Sequence, residues 1–560
     1  MSSLQDILEF EGVADSDQLR PFQSLLTLTS RRINKALSAH VRAARLNHRF
    51  WEAVCSGGAG VYEILTLLHK KVAASAVVRS IELRGMHNIV PGVRADAQVA
   101  LHGTEGLFID SLFRSTNLTE LSLHDNYIGP SGMFKISRGL RNCTKLRTLD
   151  LGRTKLGDSS AHSIAGLILN NTALTFLDLS YNEDTDDQSL DEYFHLKYEH
   201  LEIYGAGVIA DALSNCRGLT YLNLSNHVCN AQDFIEPVAN ALLSLPVLRT
   251  LMLEKINARS DGVRLFANSL QEHPALTHLD LSRNLMEDDG AEHLAAALAG
   301  CTTLVSLSVE DNDLSEFGTL QLLQELSQQS NLRSLNLSGS DMNDEGDEAM
   351  VELFRERSPD LQELILRDML TFTKRDVMRS LRHCRSLTNL NLSNSDVHEN
   401  ALRALAYSQE HRIMDHAPYY EEKGIIPVLL TTLDLSRMGW EDDTLYVVRA
   451  CRGLTSLDLS YKHIQPLACT ALQDSLTNCA NLRDLILHHN DINAQAAAEL
   501  LQTIENMTTV RTTVDLARNN ISMQEAFNFA NGNANCRYVE YCERPDIVTR
   551  RDSERMTFAT

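Results

Sequence analysis

Long apolar runs are missing from this sequence of 560 residues. None approaches the roughly 18 residues of a membrane span, and the first part of the chain carries Asp6, Glu9, Glu11, Asp15 and Asp17 in place of an apolar signal core. Basic side chains are scarce beside acidic ones, 51 against 74, for a formal charge of -23. Nucleic acid and anionic membranes attract proteins through surplus Lys and Arg, so the deficit argues against both and favours protein partners with basic surfaces. No phosphate-binding glycine loop, His-Glu-x-x-His helix or Gly-x-Ser-x-Gly elbow occurs, so the expected protein is not an enzyme and uses no cofactor. The 11 cysteines contain no C-x-x-C pair of zinc-site spacing, and their number is odd. No metal is therefore expected, and free thiols fit a reducing, cytoplasmic setting.

What the sequence does have is 43% hydrophobic residues, too many for a disordered polyanion. Length alone predicts about three to five domains. A repeat replaces that prediction. The pattern Leu-x-x-Leu-x-Leu-x-x-Asn-x-Ile is complete at Leu118, Leu121, Leu123, Asn126 and Ile128, and recurs at Leu482, Leu485, Leu487, Asn490 and Ile492. Copies also start at Leu146, Leu174, Leu219, Leu248, Leu276, Leu304, Leu332, Leu361, Leu387, Leu430 and Leu454, with a degenerate one at Arg511 and a weaker one from Val78 through Ile81 and Leu83. Most starts lie 24 to 29 residues apart, and two steps of 45 and 43 residues carry insertions near 183–200 and 407–423.

Within each copy, apolar positions four and six alternate with polar ones, as a short strand with one buried face requires. The segment after it switches to helical spacing: Ala291, Leu294, Ala295 and Leu298 in one copy, Ala497, Leu500, Leu501 and Ile504 in another. A single unit cannot bury its apolar face alone, so the copies must stack around a continuous core. These fourteen copies resemble the leucine-rich-repeat proteins, specifically the ribonuclease-inhibitor-like class with long helical repeats. The resemblance covers residues 78–531 and implies an α/β solenoid, a horseshoe with a parallel concave sheet and convex helices. Cys143, Cys216, Cys301, Cys384, Cys451 and Cys479 each stand three residues before a repeat start, so a shared packing role is expected of them.

Residues 1–77 read as a helical N-terminal cap or docking segment, with helical runs such as Leu19 to Leu46. Residues 532–560 read as a C-terminal cap and tail with a local basic run, in which Arg550, Arg551 and Ser553 resemble a basophilic kinase target. The first insertion is acidic but lacks the turn glycine and twelfth-position glutamate of a calcium loop. The second holds His411 and His416, five apart rather than the four of a helical zinc pair. Both read as solvated loops.

Function therefore falls to the polar strand positions. Position five is Asp150, Asp178, Asp280, Asp434, Asp458 or Asp515 in six copies. Adjacent strands lie about 4.8 Å apart, so Asp150 beside Asp178 and Asp434 beside Asp458 would repel by roughly 1 kcal/mol if hydrated, a cost a basic partner relieves. Phe176, Tyr181, Tyr221 and Tyr461 are the aromatic anchors expected on that face. The reading is a non-enzymatic interaction scaffold whose acidic concave face binds proteins, with a cytoskeletal or axonemal assembly as one setting. Two alternatives come from the same resemblance. A Ran-type GTPase-activating protein ends in an acidic tail, whereas this chain turns basic. An inhibitor of a basic enzyme like ribonuclease inhibitor is far richer in cysteine.

Overall fold

The computed structural model describes residues 43–46, 80–83, 117–182, 203–406 and 430–525, with breaks of one to five residues inside the longer ranges. Both insertions, the tail with Ser553 and all of 1–77 except 43–46 lie outside the described residues. The chain divides into two units, Met1–Leu285 and Met286–Thr560.

The first unit holds β1 (Ala43–Leu46), β2 (Ser80–Leu83), β3 (Glu120–Ser122), β4 (Thr148–Asp150), β5 (Phe176–Asp178), β6 (Tyr221–Asn223), β7 (Thr250–Met252) and β8 (His278–Asp280). Each pairs in parallel with the next, in chain order. In the second unit β9 (Ser306–Ser308), β10 (Ser334–Asn336), β11 (Glu363–Ile365), β12 (Asn389–Asn391), β13 (Thr432–Asp434), β14 (Ser456–Asp458), β15 (Asp484–Ile486) and β16 (Thr513–Asp515) do the same. From β3 onward every strand begins two residues after a repeat start. An expected helix gives way at one place. Leu19 to Leu46 reads as helical, yet Ala43–Leu46 is a strand in register with Ser80–Leu83. Its backbone groups are satisfied by the neighbouring strand, which outweighs local helical preference in so short a run.

The period places equivalent residues in columns. Position-four leucines are register partners from Leu121 through Leu149, Leu177, Leu222 and Leu251 to Leu279, and all six are buried. Full burial of each such side chain contributes about 1.5 to 3 kcal/mol. Helices return the chain between strands and close the core from the other side, as in Glu287–Leu298, which buries Ala291, Leu294, Ala295 and Leu298. The six cysteines at the expected position are buried free thiols. Burial pushes the Cys216 thiol up to about 11 and that of Cys384 up to about 12, so both act as small apolar groups.

Position nine is polar in eleven of the fourteen copies, the exceptions being Ile256, Met369 and Met438, and it faces the core. Asn284 is fully buried; its amide donates to the carbonyls of Leu253, Leu281 and Ser282, while its oxygen accepts from the backbone N–H groups of Ile256 and Ala258. One asparagine thereby closes its own turn and ties it to the preceding repeat. Lys462 fills the same position in its copy, fully buried, and donates to the carbonyls of Leu435 and Gly439. No helix among the described residues is long and apolar enough to cross a membrane.

Candidate interaction face

Strand alternation directs positions three, five and seven away from the core. At position five the side chain has a local task. The carboxylates of Asp178, Asp280, Asp434 and Asp458 accept from the backbone N–H two residues on, each at 2.9 Å, and Asp515 does likewise from Ala517. Asn223, Asn336 and Asn391 make the same bond. An Asp or Asn here satisfies a donor that the strand end leaves open, and its remaining lone pairs face outward. The expected neighbours are register partners: Asp150 opposite Asp178, and Asp434 opposite Asp458.

In the first unit this column carries a connected cluster. The Ser122 hydroxyl donates to Asp150 Oδ2 at 2.7 Å, and His124 Nδ1 lies 3.2 Å from Asp150 Oδ1. One strand on, the Ser180 hydroxyl donates to Asp178 Oδ1 at 2.6 Å and the Asn223 amide donates to Oδ2 at 3.3 Å. Asp150 is 4% and Asp178 8% exposed. Burial alone would raise both carboxyls. For Asp150 the hydrogen bonds from His124 and Ser122 outweigh it and hold the carboxyl below its ordinary value. For Asp178 burial prevails over the Ser180 donors, with the Asp150 charge adding to it, and the carboxyl stands above its ordinary value. Beside them Phe176 and Tyr221 stack with centroids 4.2 Å apart and planes 7° from parallel.

The residue after position seven is a second organised column. All fourteen position-eight residues of the copies from Leu118 onward have a left-handed backbone, with φ between +51 at Asp311 and +71 at Gly339. Thirteen are not glycine. Tyr181 and Tyr461 belong here, so they stand in the turn beyond the strand rather than on its face with Phe176 and Tyr221. Arg153, at the same position one repeat earlier, covers the Tyr181 ring at 4.6 Å. The Tyr181 hydroxyl donates to Glu254 at 3.0 Å, and Glu254 also pairs with Arg283 at 3.2 Å. Within the second unit Tyr461 lies between Arg437, 4.4 Å from its centroid, and the stacked ring of His489 at 4.0 Å. Arg367 binds Glu310 and lies 3.0 Å from Asp368.

The family described as Leucine Rich repeat matches residues 114–137, 142–165, 273–295 and 328–351. The chain is a leucine-rich-repeat protein. The fold agrees: within each unit, parallel strands in chain order alternate with helices. Among solved structures, it is similar to a chain of the yeast Rad7 and Elc1 complex, at 14% identity over 92% of this chain and 96% of that one, with a TM-score of 0.42. An internalin of Listeria monocytogenes aligns at 15% identity over 78% and 83%, TM-score 0.31, and a leucine-rich-repeat protein of Leptospira interrogans at 15% over 84% and 91%, TM-score 0.35. No curated protein sequence matches.

Of the expected anchors on this leucine-rich-repeat surface, Asp150, Phe176, Asp178 and Tyr221 come together on the consecutive strands β4, β5 and β6. Asp280 is on β8, three strands from β5. In the second unit Asp434 and Asp458 are neighbours, Tyr461 follows in the next turn, and Asp515 is on β16, with Ile486 between it and Asp458 in register. Sequence reasoning missed His124 and the position-eight arginines. Aligning position seven of one copy with position five of the next would have found His124 beside Asp150.

Proposed function

We propose that this protein is a non-enzymatic interaction scaffold, and that the outward face of its first unit binds a protein with a basic surface. Charge on that face carries the reading. Positions three, five and seven from β3 to β8 include Glu120, Asp150, Asp178, Glu254 and Asp280 and no Lys or Arg. Parallel strands hold Asp150 and Asp178 as register neighbours, so their repulsion is built in and a cationic partner releases it. The Phe176 and Tyr221 pair supplies an aromatic surface of the kind on which binding energy concentrates. In the second unit Asp434, Asp458 and Asp515 extend the same chemistry, with Tyr461 held by Arg437 and His489 beside them.

Helical repeats of about 28 residues support placing the chain in the ribonuclease-inhibitor-like class. The experiment is affinity capture with the full chain against a double variant, Phe176→Ala with Tyr221→Ala, compared by quantitative mass spectrometry at low and moderate salt. Partners are expected to be lost from the variant and to dissociate as salt rises, while the thermal unfolding profile stays close to that of the parent. Equal capture by both proteins would overturn the assignment of this face. Co-sedimentation of the same pair with cytoskeletal polymers tests the cytoskeletal setting separately.

A further inference from the structure

The His124, Asp150 and Asp178 cluster has the composition of a metal site, although its members are separated in sequence by 26 and 28 residues. Each offers one ligand atom, and the three atoms lie within 4.8 Å of one another. His124 Nδ1 and Asp150 Oδ1 are 3.2 Å apart, close to the ~3.4 Å edge of a tetrahedron with bonds of about 2.1 Å. Both carboxylates are more than nine-tenths buried, and each is oriented by other donors: Ser122 on Asp150, Ser180 and Asn223 on Asp178. Such outer contacts are how proteins aim metal ligands.

A second observation is independent of these bonds. Position seven is serine in seven of the copies, at Ser180, Ser225, Ser282, Ser338, Ser393, Ser436 and Ser460, but glycine at Gly152. A methyl group on Gly152 would lie 2.7 Å from His124 Nδ1 and 3.0 Å from Asp178 Oδ1. A side chain here would collide with both groups, so glycine at this position is what lets two of the three donor groups close on the place beside it.

We propose that His124, Asp150 and Asp178 bind one divalent transition-metal ion of the zinc class in the gap beside Gly152. Two carboxylates neutralise the ion's charge, and an imidazole nitrogen favours a borderline metal over calcium or magnesium, which prefer all-oxygen shells. Three protein ligands leave a fourth position for water. The like-charge contact between Asp150 and Asp178, costly without a counter-ion, then becomes a reason for the pair to exist. The site shares Asp150 and Asp178 with the proposed interaction face, but metal titration and partner capture report on the two roles separately, so either can fail without the other.

The test uses the full chain, reduced and stripped with chelator, titrated with Zn2+ by calorimetry and with Co2+ by visible absorption. Variants are His124→Ala, Asp178→Asn and Gly152→Ser, the last placing in the gap the residue that other repeats carry there. The parent is expected to bind one Zn2+ equivalent that His124→Ala and Asp178→Asn weaken about tenfold or more. Gly152→Ser, which removes no ligand, is expected to weaken it too. Zn2+ should raise the thermal midpoint of the parent and not of the variants, and melting curves without metal verify that each variant is folded. Cobalt should give d–d bands in the parent that the variants lose. A Zn2+ equivalent unchanged by all three substitutions would place the metal elsewhere and overturn the proposal. So would the absence of saturable Zn2+ binding, or Ca2+ displacing Zn2+ at equal concentration.

Discussion

Replacing Asp458 with asparagine should make the second unit more stable at neutral pH. Asp458 stands in register with Asp434 across one strand spacing, about 4.8 Å. At that separation two charges repel by about 0.9 kcal/mol with the dielectric of water and by about 3.5 kcal/mol at the effective value of about 20 used near protein surfaces. Solvent reaches this half-buried face, so the lower end applies, about 1 kcal/mol. Asparagine keeps the oxygen that accepts from the Ser460 N–H at 2.9 Å, so the strand-end bond survives while the charge goes. The pH dependence identifies the cause. Burial, with the Asp434 charge adding to it and the Ser460 donors opposing, holds the Asp458 carboxyl above its ordinary value. The folded state therefore prefers the protonated acid. Its contribution to stability is complete below the unfolded value of about 3.8 and is lost as pH rises through the folded one. The advantage of Asp458→Asn should accordingly be near zero at about pH 4 and full at about pH 7. Urea denaturation followed by far-ultraviolet circular dichroism at both values reads it as a shift in midpoint. A variant less stable than the parent at neutral pH, or one whose advantage survives undiminished in acid, refutes the argument.

Three further substitutions test other columns. Asn284→Ala removes the acceptor of two backbone N–H donors and a donor to three carbonyls, of which that of Ser282 keeps its bond from the Lys255 N–H, and a loss of about 2 kcal/mol or more is expected in the same assay. His273 is buried, donates from Nε2 to the Leu245 carbonyl at 2.9 Å and has no partner at Nδ1. Burial holds its imidazole below the ordinary value, against that carbonyl bond, so stability should fall as pH drops through about 6.5, where the unfolded chain takes up the proton. His273→Cys, which installs the residue found at this position in six other copies, should flatten that dependence; an unchanged pH profile would exclude His273 as its source. Lys255 is exposed with φ of +53, so Lys255→Val should be less stable than Lys255→Gly by about 1 kcal/mol or more, and equal midpoints would show that the turn imposes no such constraint.

The register was legible in the sequence because the period is a consequence of packing. Each Leu at position four must meet its equivalents in the adjoining repeats, so one alignment of copies placed fourteen strands. Ala43–Leu46 was not legible, since four residues without the leucine pattern carry no periodic signal and only the partner strand decides their conformation. The candidate face was half legible. Asp150, Asp178, Phe176 and Tyr221 were found because position and face follow from alternation, and that logic fails one residue past the strand. There the left-handed turn redirects Tyr181 and Tyr461, so counting odd and even no longer predicts where a side chain goes. His124 and Gly152 were invisible for another reason. Motif searches look along the chain, whereas this cluster is assembled across it, with one member from each of three successive repeats and its gap made by a residue whose side chain is absent.

The left-handed column has a further meaning. Across its fourteen places the residues are Asp, Arg, Tyr, Asn, Lys, Gly and His in no fixed sequence, while the turn beneath them is unvarying. Backbone geometry there is set by neighbours, the capped donor on one side and the buried asparagine or its substitute on the other, and hardly by the residue itself. No residue with a branched β-carbon occurs in the column, and among the others identity at that place is thus largely released from folding and open to selection for recognition. Each repeat contributes one exchangeable letter to an outward-facing text, and a lineage or an engineer can respell it repeat by repeat without rewriting the scaffold that holds the page flat.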